Sequence, residues 1–160
     1  MKRGLTNEER LNKVKTFYDA FSAKDGVAMA SFYHPDARFE DPAFGPLNGM
    51  EVQAMWKMLC ENGKDLEVRA ETPKISGVFI HTQWEAKYTF SKTGRKVHNL
   101  VESTIVLKEG LIYRHSDDFN LRAWAIQALG MKGWLLGGTG FFKRKLQSTT
   151  RSMLASYMQK

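Results

Sequence analysis

The spacing of hydrophobic residues divides the chain into a helical first part, a strand-rich middle and a helical end. Apolar side chains recur at helical intervals over residues 11–21, 27–33 and 52–59. From residue 65 onward the period becomes two, which predicts four strands: 66–72, 77–91, 96–108 and 111–119. This order predicts an α+β domain in which helices pack on one side of a curved antiparallel sheet.

Capping and helix-breaking residues support these boundaries. Thr6 opens a capping-box motif, and Asp25 can cap a short second helix. Pro35 ends that helix, because the residue before a proline disfavours the α region. Two further helices are predicted near the end of the chain, at 121–129 and about 142–158, joined by a glycine-rich stretch.

The stretch YHPDARFEDPAFGPLNG, residues 33–49, separates the helical part from the strand-rich part. Within it a short strand runs into Asp41, where the following Pro42 lets the strand end. Phe39 and Phe44 lie nearby, and burial among apolar side chains raises the pKa of a carboxylate, as a general base requires. As an alternative, Asp41 caps the loop that follows it.

This stretch, preceded by two short helices and followed by a third, resembles the ketosteroid isomerase and SnoaL-like polyketide cyclase branch of the nuclear-transport-factor-2-like superfamily. The resemblance covers approximately residues 7–119. It implies a cystatin-like, cone-shaped sheet with a pocket at its open end for residues 1–120, and a basic helical extension packed on the cone for residues 121–160. It also implies that Asp41 is the catalytic base, because the isomerases carry theirs at this position.

Alternation along the last strand places four side chains on one face: Tyr113, His115, Asp117 and Phe119. The resemblance directs this face into the pocket, so His115 and Asp117 join Asp41 as predicted catalytic residues. A histidine beside carboxylates can give or take a proton near neutral pH. In the alternative reading, His115 is a hydrogen-bonded interior histidine and Asp117 pairs with Arg114 or Arg122.

Further side chains are predicted to bind the ligand in the pocket. They are Phe17, Tyr18, Tyr33, Phe39, Phe44, Trp56, Asn99, Val101, Ser103, Tyr113 and Phe119. Under the resemblance, Phe17 and Ser103 stand where the isomerases carry their two oxyanion donors. A dienolate without those donors loses much of its stabilisation, so we expect negligible turnover of a β,γ-unsaturated ketosteroid. Trp84 can also line the pocket, although ordinary core packing is the preferred interpretation for it.

Composition and motifs predict neither a metal nor an organic cofactor. The four histidines lack the pairing of a metal site, and Gly138 is followed by Thr139 where a phosphate loop needs lysine. Cys60 is the only cysteine, which excludes an intrachain disulfide. Because the first ten residues are polar and no apolar run reaches membrane length, the expected location is the cytoplasm.

The net charge of +7 originates at the end of the chain. Of 24 basic and 17 acidic residues, residues 121–160 contain seven basic ones and no acid. The large apolar residues of this segment can pack on the cone, where they close its mouth or widen the dimer interface, or residues 134–145 can lie on an anionic membrane surface. Packing is the preferred interpretation, because large apolar residues are usually buried. Nucleic acid is not expected as a partner.

These observations predict a cofactor-independent enzyme of the isomerase, cyclase, dehydratase or hydrolase type. It would act on a small, largely apolar ligand through carboxylate and histidine acid–base chemistry. The alternative is a non-catalytic ligand-binding or dimerisation module of the same fold. A two-fold symmetric homodimer is expected, because an apolar outer sheet face would need cover.

Overall fold

The computed structural model describes residues 3–160, so the first two residues of the predicted domain lie outside the described part. The helices are α1 (Asn7–Ser22), α2 (Gly26–Ser31), α3 (Gly49–Asn62), α4 (Leu121–Leu129), α5 (Met131–Leu136) and α6 (Gly140–Met158). The strands are β1 (Tyr33–Asp41), β2 (Gly45–Asn48), β3 (Glu67–Ala70), β4 (Lys74–Ser76), β5 (Phe79–Phe90), β6 (Arg95–Lys108) and β7 (Leu111–Asp118). This is the expected α+β order.

The seven strands form one sheet in the order β2-β1-β7-β6-β5-β3, with β4 also paired to β5. Neighbouring strands are antiparallel, as predicted, apart from β1 and β7, which run parallel. This pair sets Phe39 beside His115. It joins the first strand of the chain to the last one, and thereby brings both parts of the predicted site to neighbouring positions.

Local sequence explains where the two long N-terminal helices begin. Thr6 and Glu9 form a reciprocal capping box at α1, and Asn48 and Glu51 form another at α3. The apolar faces of these helices meet the inner side of the sheet. The resulting main core includes Val14, Phe17, Val52, Met55, Ile80 and Ile105.

Three short elements are absent from the predictions: β2, β4 and α5. The two strands have four and three residues, too few to display a period of two. Helix α5 was not predicted because it lies among glycines around residue 137, and glycine is the poorest helix former after proline.

A register shift between β6 and β7 changes which residues of β7 face inward. The pairing shifts at Leu107, so Ile112 lies in the core and is 2% exposed. Tyr113 instead contacts the side chains of Arg114 and Lys108, whose cations lie 3.9 and 4.7 Å from its ring centre. The predicted inward position of Tyr113 is therefore wrong, because the irregular pairing interrupts the strict alternation of the strand.

Helix α4 packs against the end of the β5–β6 hairpin that extends beyond β7. Trp124 donates from Nε1 to Tyr88 Oη at 2.7 Å, and Arg95 Nε donates to Gln127 O at 2.8 Å. Trp124 and the small residues of α4 form a second core with Val97. The hairpin and the first C-terminal helix are thus joined by both apolar and polar contacts.

Helix α6 lies across the turn between β1 and β2. Gln147 Nε2 donates to Pro42 O at 3.1 Å, and Thr150 Oγ1 donates to Ala43 O at 2.8 Å. Farther along the helix, Leu154 is 2% exposed and belongs to the main core. The last helix is therefore anchored to the turn that follows β1.

Candidate functional site

Asp41 is the last residue of β1, and the turn that follows holds its carboxylate. Oδ1 accepts hydrogen bonds from the backbone N–H of Ala43 at 2.9 Å and of Phe44 at 2.6 Å. The loop-capping role that the sequence left open is therefore present. Both of these bonds use the same carboxylate oxygen.

Burial raises the pKa of Asp41 to about 7. The negative charge of Asp117 also contributes to this rise, whereas the N–H groups of Phe44 and Ala43 and the nearby His115 oppose it. The residue keeps partial solvent exposure, although protein surrounds its carboxylate on most sides. A carboxyl group with a pKa near neutrality can exchange protons at neutral pH, as a general base must.

The parallel register brings Asp41 and Asp117 together at the same end of two neighbouring strands. Phe39 and His115, which are paired, precede these two residues by two positions on their respective strands. Adjacent strands lie about 4.8 Å apart, and residues two positions apart share a face. The two carboxylates therefore face the same interior, which accounts for the electrostatic effect of Asp117 on Asp41.

His115 and Asp117 form a buried pair on β7. His115 Nε2 lies 2.8 Å from Asp117 Oδ1, and the two side chains are 0% and 2% exposed. The partner of Asp117 is thus His115 and not Arg114 or Arg122, the pairing considered as an alternative. His115 is a hydrogen-bonded interior histidine, and it also contacts a carboxylate beside Asp41.

A chain of hydrogen bonds extends from both ring nitrogens of His115. Tyr33 Oη lies 2.7 Å from Nδ1 and accepts a hydrogen bond from Trp56 Nε1 at 2.7 Å. Ser103 Oγ lies 3.0 Å from Nε2 and accepts a hydrogen bond from Tyr18 Oη at 2.7 Å. All five residues are buried. Four elements, α1, α3, β1 and β6, therefore contribute side chains around the histidine of β7.

Donor and acceptor chemistry places the protons of this network. The indole N–H of Trp56 can only donate, so Tyr33 accepts from it and can donate a hydrogen bond through its own O–H to Nδ1 of His115. A carboxylate at Asp117 can only accept, so Nε2 carries a proton. Burial raises the pKa values of Tyr18 and Tyr33 well above their usual range, which keeps both phenols protonated.

Aromatic rings enclose the polar network. The ring centres of Phe17, Phe39 and Trp56 lie 5.9, 5.1 and 6.2 Å from that of His115. Eight of the predicted ligand-binding residues are buried: Phe17, Tyr18, Tyr33, Phe39, Phe44, Trp56, Val101 and Ser103. Their role in ligand binding remains a prediction.

Three predicted ligand-binding residues lie apart from this network. Asn99 is half-buried farther along β6, and Phe119 packs with the second core around Trp124. Tyr113 contacts cationic side chains, as described above. The resemblance to the isomerases gave these positions, but the bulge and the added helix α4 change their surroundings.

Trp84 contributes a feature that the sequence analysis missed. Its ring centre lies 6.3 Å from that of Tyr18 and 5.1 Å from that of Phe21. Within the described chain, its buried Nε1 has no hydrogen-bond partner. An unpaired buried donor costs free energy, so this N–H is available to an acceptor on a bound molecule. No local pattern could have indicated it, because the surroundings come from α1 and α3.

The site is more closed than the predicted open cone. Four surface grooves have volumes between about 250 and 730 Å³, and Asp41, His115 and Asp117 line none of these four. Across residues 3–160, no group of three or more His, Cys, Asp or Glu side chains could hold a metal ion. The helices of the same part are too short or too polar to cross a bilayer.

Comparison with known proteins identifies the family. The SnoaL-like domain matches residues 14–115. A Jannaschia sp. protein named as a SnoaL-like polyketide cyclase has a TM-score of 0.65 at 16% identity, with 82% of this chain and 98% of that chain covered. An LEH-like epoxide hydrolase from M. tuberculosis has a TM-score of 0.61 at 17% identity, with 81% and 92% covered.

A third structure comes from Catenulispora acidiphila, a protein with a ketosteroid isomerase-like fold in complex with trimethylamine. Its TM-score is 0.63 at 11% identity, with 72% of this chain and 91% of that chain covered. A comparison with curated proteins found no match.

The fold is that of the ketosteroid isomerase-like and nuclear-transport-factor-2-like proteins. Within that class, the chain belongs to the SnoaL-like domain family, whose match covers more than half of its length. The family and the fold class predicted from the sequence are both confirmed.

Proposed function

We propose that this protein is a cofactor-independent enzyme that performs acid–base chemistry on a small, largely apolar molecule. The observation that carries the proposal is the pKa of Asp41, raised to about 7 beside the buried pair of His115 and Asp117. Membership of the SnoaL-like family supports the conversion of a small molecule. Solved relatives named as a polyketide cyclase and an epoxide hydrolase are consistent with it.

In the proposed reaction, Asp41 removes a proton from a carbon atom or a water molecule, and His115 is the proton partner. Tyr33 and Asp117 hold the imidazole from its two nitrogens and fix its orientation. The unpaired Nε1 of Trp84 offers a hydrogen bond to an oxygen of the ligand. The surrounding phenylalanine rings accept the apolar part of the molecule.

A general base can be tested before the natural substrate is known. 5-Nitrobenzisoxazole opens when a base removes its C–H proton, as the N–O bond breaks to give a nitrile and a phenolate. We expect turnover that rises through about pH 7, in step with ionisation of Asp41. Asp41→Asn should lower the rate by about 10²- to 10⁴-fold, the usual contribution of a positioned base.

The matched control is Asp118→Asn, because Asp118 is exposed and lies next to Asp117 on the opposite face of β7. This variant should keep the rate of the unmodified protein. Turnover no faster than that of free carboxylate buffer, or a rate that Asp41→Asn leaves unchanged, would contradict the proposal.

A second candidate function is a non-catalytic ligand-binding or dimerisation module. The observation that favours it is the closed interior, where rings of Phe17, Phe39 and Trp56 pack on a histidine whose two nitrogens already have partners. As a dimer, the chain would pair through the outer face of the sheet. There Leu100 is 67% exposed among largely polar side chains, so this face is less apolar than the sequence analysis assumed.

Analytical sedimentation, together with the base-catalysis assay, distinguishes the non-catalytic module from the enzyme. A homodimer at micromolar concentration that Leu100→Lys dissociates, together with no base catalysis, would favour the module. A dimer with Asp41-dependent turnover would support the enzyme, since assembly and catalysis are compatible.

A further inference from the structure

Helix α5 carries its large apolar residues on the outside. Met131, Trp134, Leu135 and Leu136 are 79%, 57%, 62% and 47% exposed, whereas Gly133 is buried. An amphipathic surface helix normally turns its large apolar residues toward the core and its polar residues toward solvent. The large apolar residues of α5 therefore do not pack on the cone of their own chain.

Glycine contacts hold α5 in this orientation. A Cβ atom at Gly133 would lie 1.9 Å from Ala125 O, and one at Gly137 would lie 2.7 Å from Ala125 Cβ. Only residues without a side chain fit against α4 at this distance, so the side of α5 that carries Gly133 must face inward. The opposite side, with Trp134 and Leu135, is consequently directed to solvent by the packing itself.

The apolar surface continues into the first turn of α6, where Phe141 is 61% exposed. We call this surface, formed by Met131, Trp134, Leu135, Leu136 and Phe141, the apolar patch. A cluster of large exposed apolar residues within one short segment of a folded chain marks an interaction site. It shares no residue with the candidate active site and needs no assumption about the reaction.

Basic side chains border the apolar patch. The guanidinium carbon of Arg122 lies 5.8 Å from the ring centre of Trp134, and Arg122 Nη2 donates to Trp134 O at 3.2 Å. Arg144 extends over Gly140, and Lys143 and Lys145 are exposed on the same turn of α6. No acidic residue follows Asp118, so nothing in the extension offsets these charges.

We propose that the apolar patch and its basic border dock on an anionic membrane surface. Trp134 and Phe141 would enter the boundary between headgroups and acyl chains, while Arg122 and Lys143–Lys145 meet the lipid phosphates and carboxylates. Nucleic acid fits less well, since Leu135, Leu136 and Met131 offer no stacking surface for bases. The basic border complements either anionic partner, and the aliphatic side chains of the patch favour lipid.

The test is flotation of the full chain with vesicles of phosphatidylcholine, alone or with about a third phosphatidylserine. We expect binding to the anionic vesicles only, reversed by about 0.5 M salt. Emission of Trp134 should shift to shorter wavelength on binding, because the other tryptophans are more buried. Trp134→Phe should abolish that shift and leave flotation nearly unchanged.

Two sets of variants separate the contributions of the apolar patch and of its basic border to membrane binding. Lys143→Gln, Arg144→Gln and Lys145→Gln together should weaken binding about 100-fold, as each cation near an anionic surface contributes about fivefold. Trp134→Ser with Phe141→Ser should abolish flotation with little loss of stability, because both side chains are exposed.

The control variants carry substitutions of the same kinds at positions outside the apolar patch and its basic border. The apolar control, Val78→Ser with Phe79→Ser, alters exposed apolar residues at the start of β5, the end of that strand that does not contact α4. The basic control combines Lys13→Gln, Lys15→Gln and Lys24→Gln, and removes three exposed cations in or next to α1. Both controls should float as the unmodified chain does. Absence of binding at low salt, equal loss in the controls, or self-association or RNA binding that Trp134→Ser removes would overturn the proposal.

Discussion

The interior of the cone and the surface of α5 use the same kinds of residue in opposite ways. In the interior, Trp56 and Tyr33 are buried, and the polar atoms of both side chains have hydrogen-bond partners, which link them to the ring of His115. On α5, Trp134 is exposed and glycine lies underneath. The difference shows that an aromatic residue indicates burial only when its neighbours leave room for it.

Paired substitutions of phenylalanine test this contrast with the largest expected effect. Phe17→Ala should lower the free energy of unfolding by about 3–5 kcal/mol, because the fully buried ring leaves a cavity against Tyr18 and His115. Phe141→Ala should cost less than about 0.5 kcal/mol, since its ring is exposed. Urea unfolding measures both values, and equal losses would refute the distinction.

Paired substitutions of glycine test the packing beneath α5. Gly133→Ala should destabilise the chain by about 1–3 kcal/mol, because the added methyl group clashes with Ala125 O. Gly138→Ala should be nearly neutral, since its nearest neighbour is the flexible side chain of Arg122 at 3.3 Å. If Gly133→Ala unfolds at the same urea concentration as Gly138→Ala, α5 is not held as described.

The pH dependence of stability tests the burial of Asp41. The pKa is about 7 in the folded chain and has the ordinary value of 3.8 when unfolded, so the folded state retains a proton that the unfolded state has lost. This contribution to stability is complete below about pH 4 and is lost as the pH rises through 7. The slope reaches at most about 1.4 kcal/mol per pH unit.

Asp41→Asn isolates that contribution, because its amide oxygen can still accept from Ala43 and Phe44. The difference in unfolding free energy between the variant and the unmodified chain should shift in favour of the variant from pH 4 to 7. A difference that is constant over this range would mean that Asp41 titrates at its ordinary pKa.

Much of the fold was predictable because the signals are local. The capping box at Thr6, the helical periods of α1 and α3 and the alternation of β5 and β6 lie within single elements. The burial of His115 and Asp117 also follows from alternation. Tyr113 shows the limit of this reasoning, since a bulge depends on the partner strand.

The contacts that complete the candidate site could not be predicted in this way. Tyr18 meets Ser103 across 85 positions, and Tyr33 meets His115 across 82. No local pattern specifies such pairs, and the resemblance placed Phe17, not Tyr18, at the donor position. The unpaired N–H of Trp84 is a property of the packed interior and has no signature in the sequence.

The parallel pairing of β1 with β7 has a consequence for how the chain folds. Asp41 lies on one side of this seam and His115 and Asp117 on the other, so the candidate site cannot exist until the first and last strands meet. Pairing across so long a loop is slow, because closure entropy is lost before contacts compensate for it. During synthesis the hairpin of β5 and β6 can form early, whereas the candidate site is completed only when the last strand has joined the sheet.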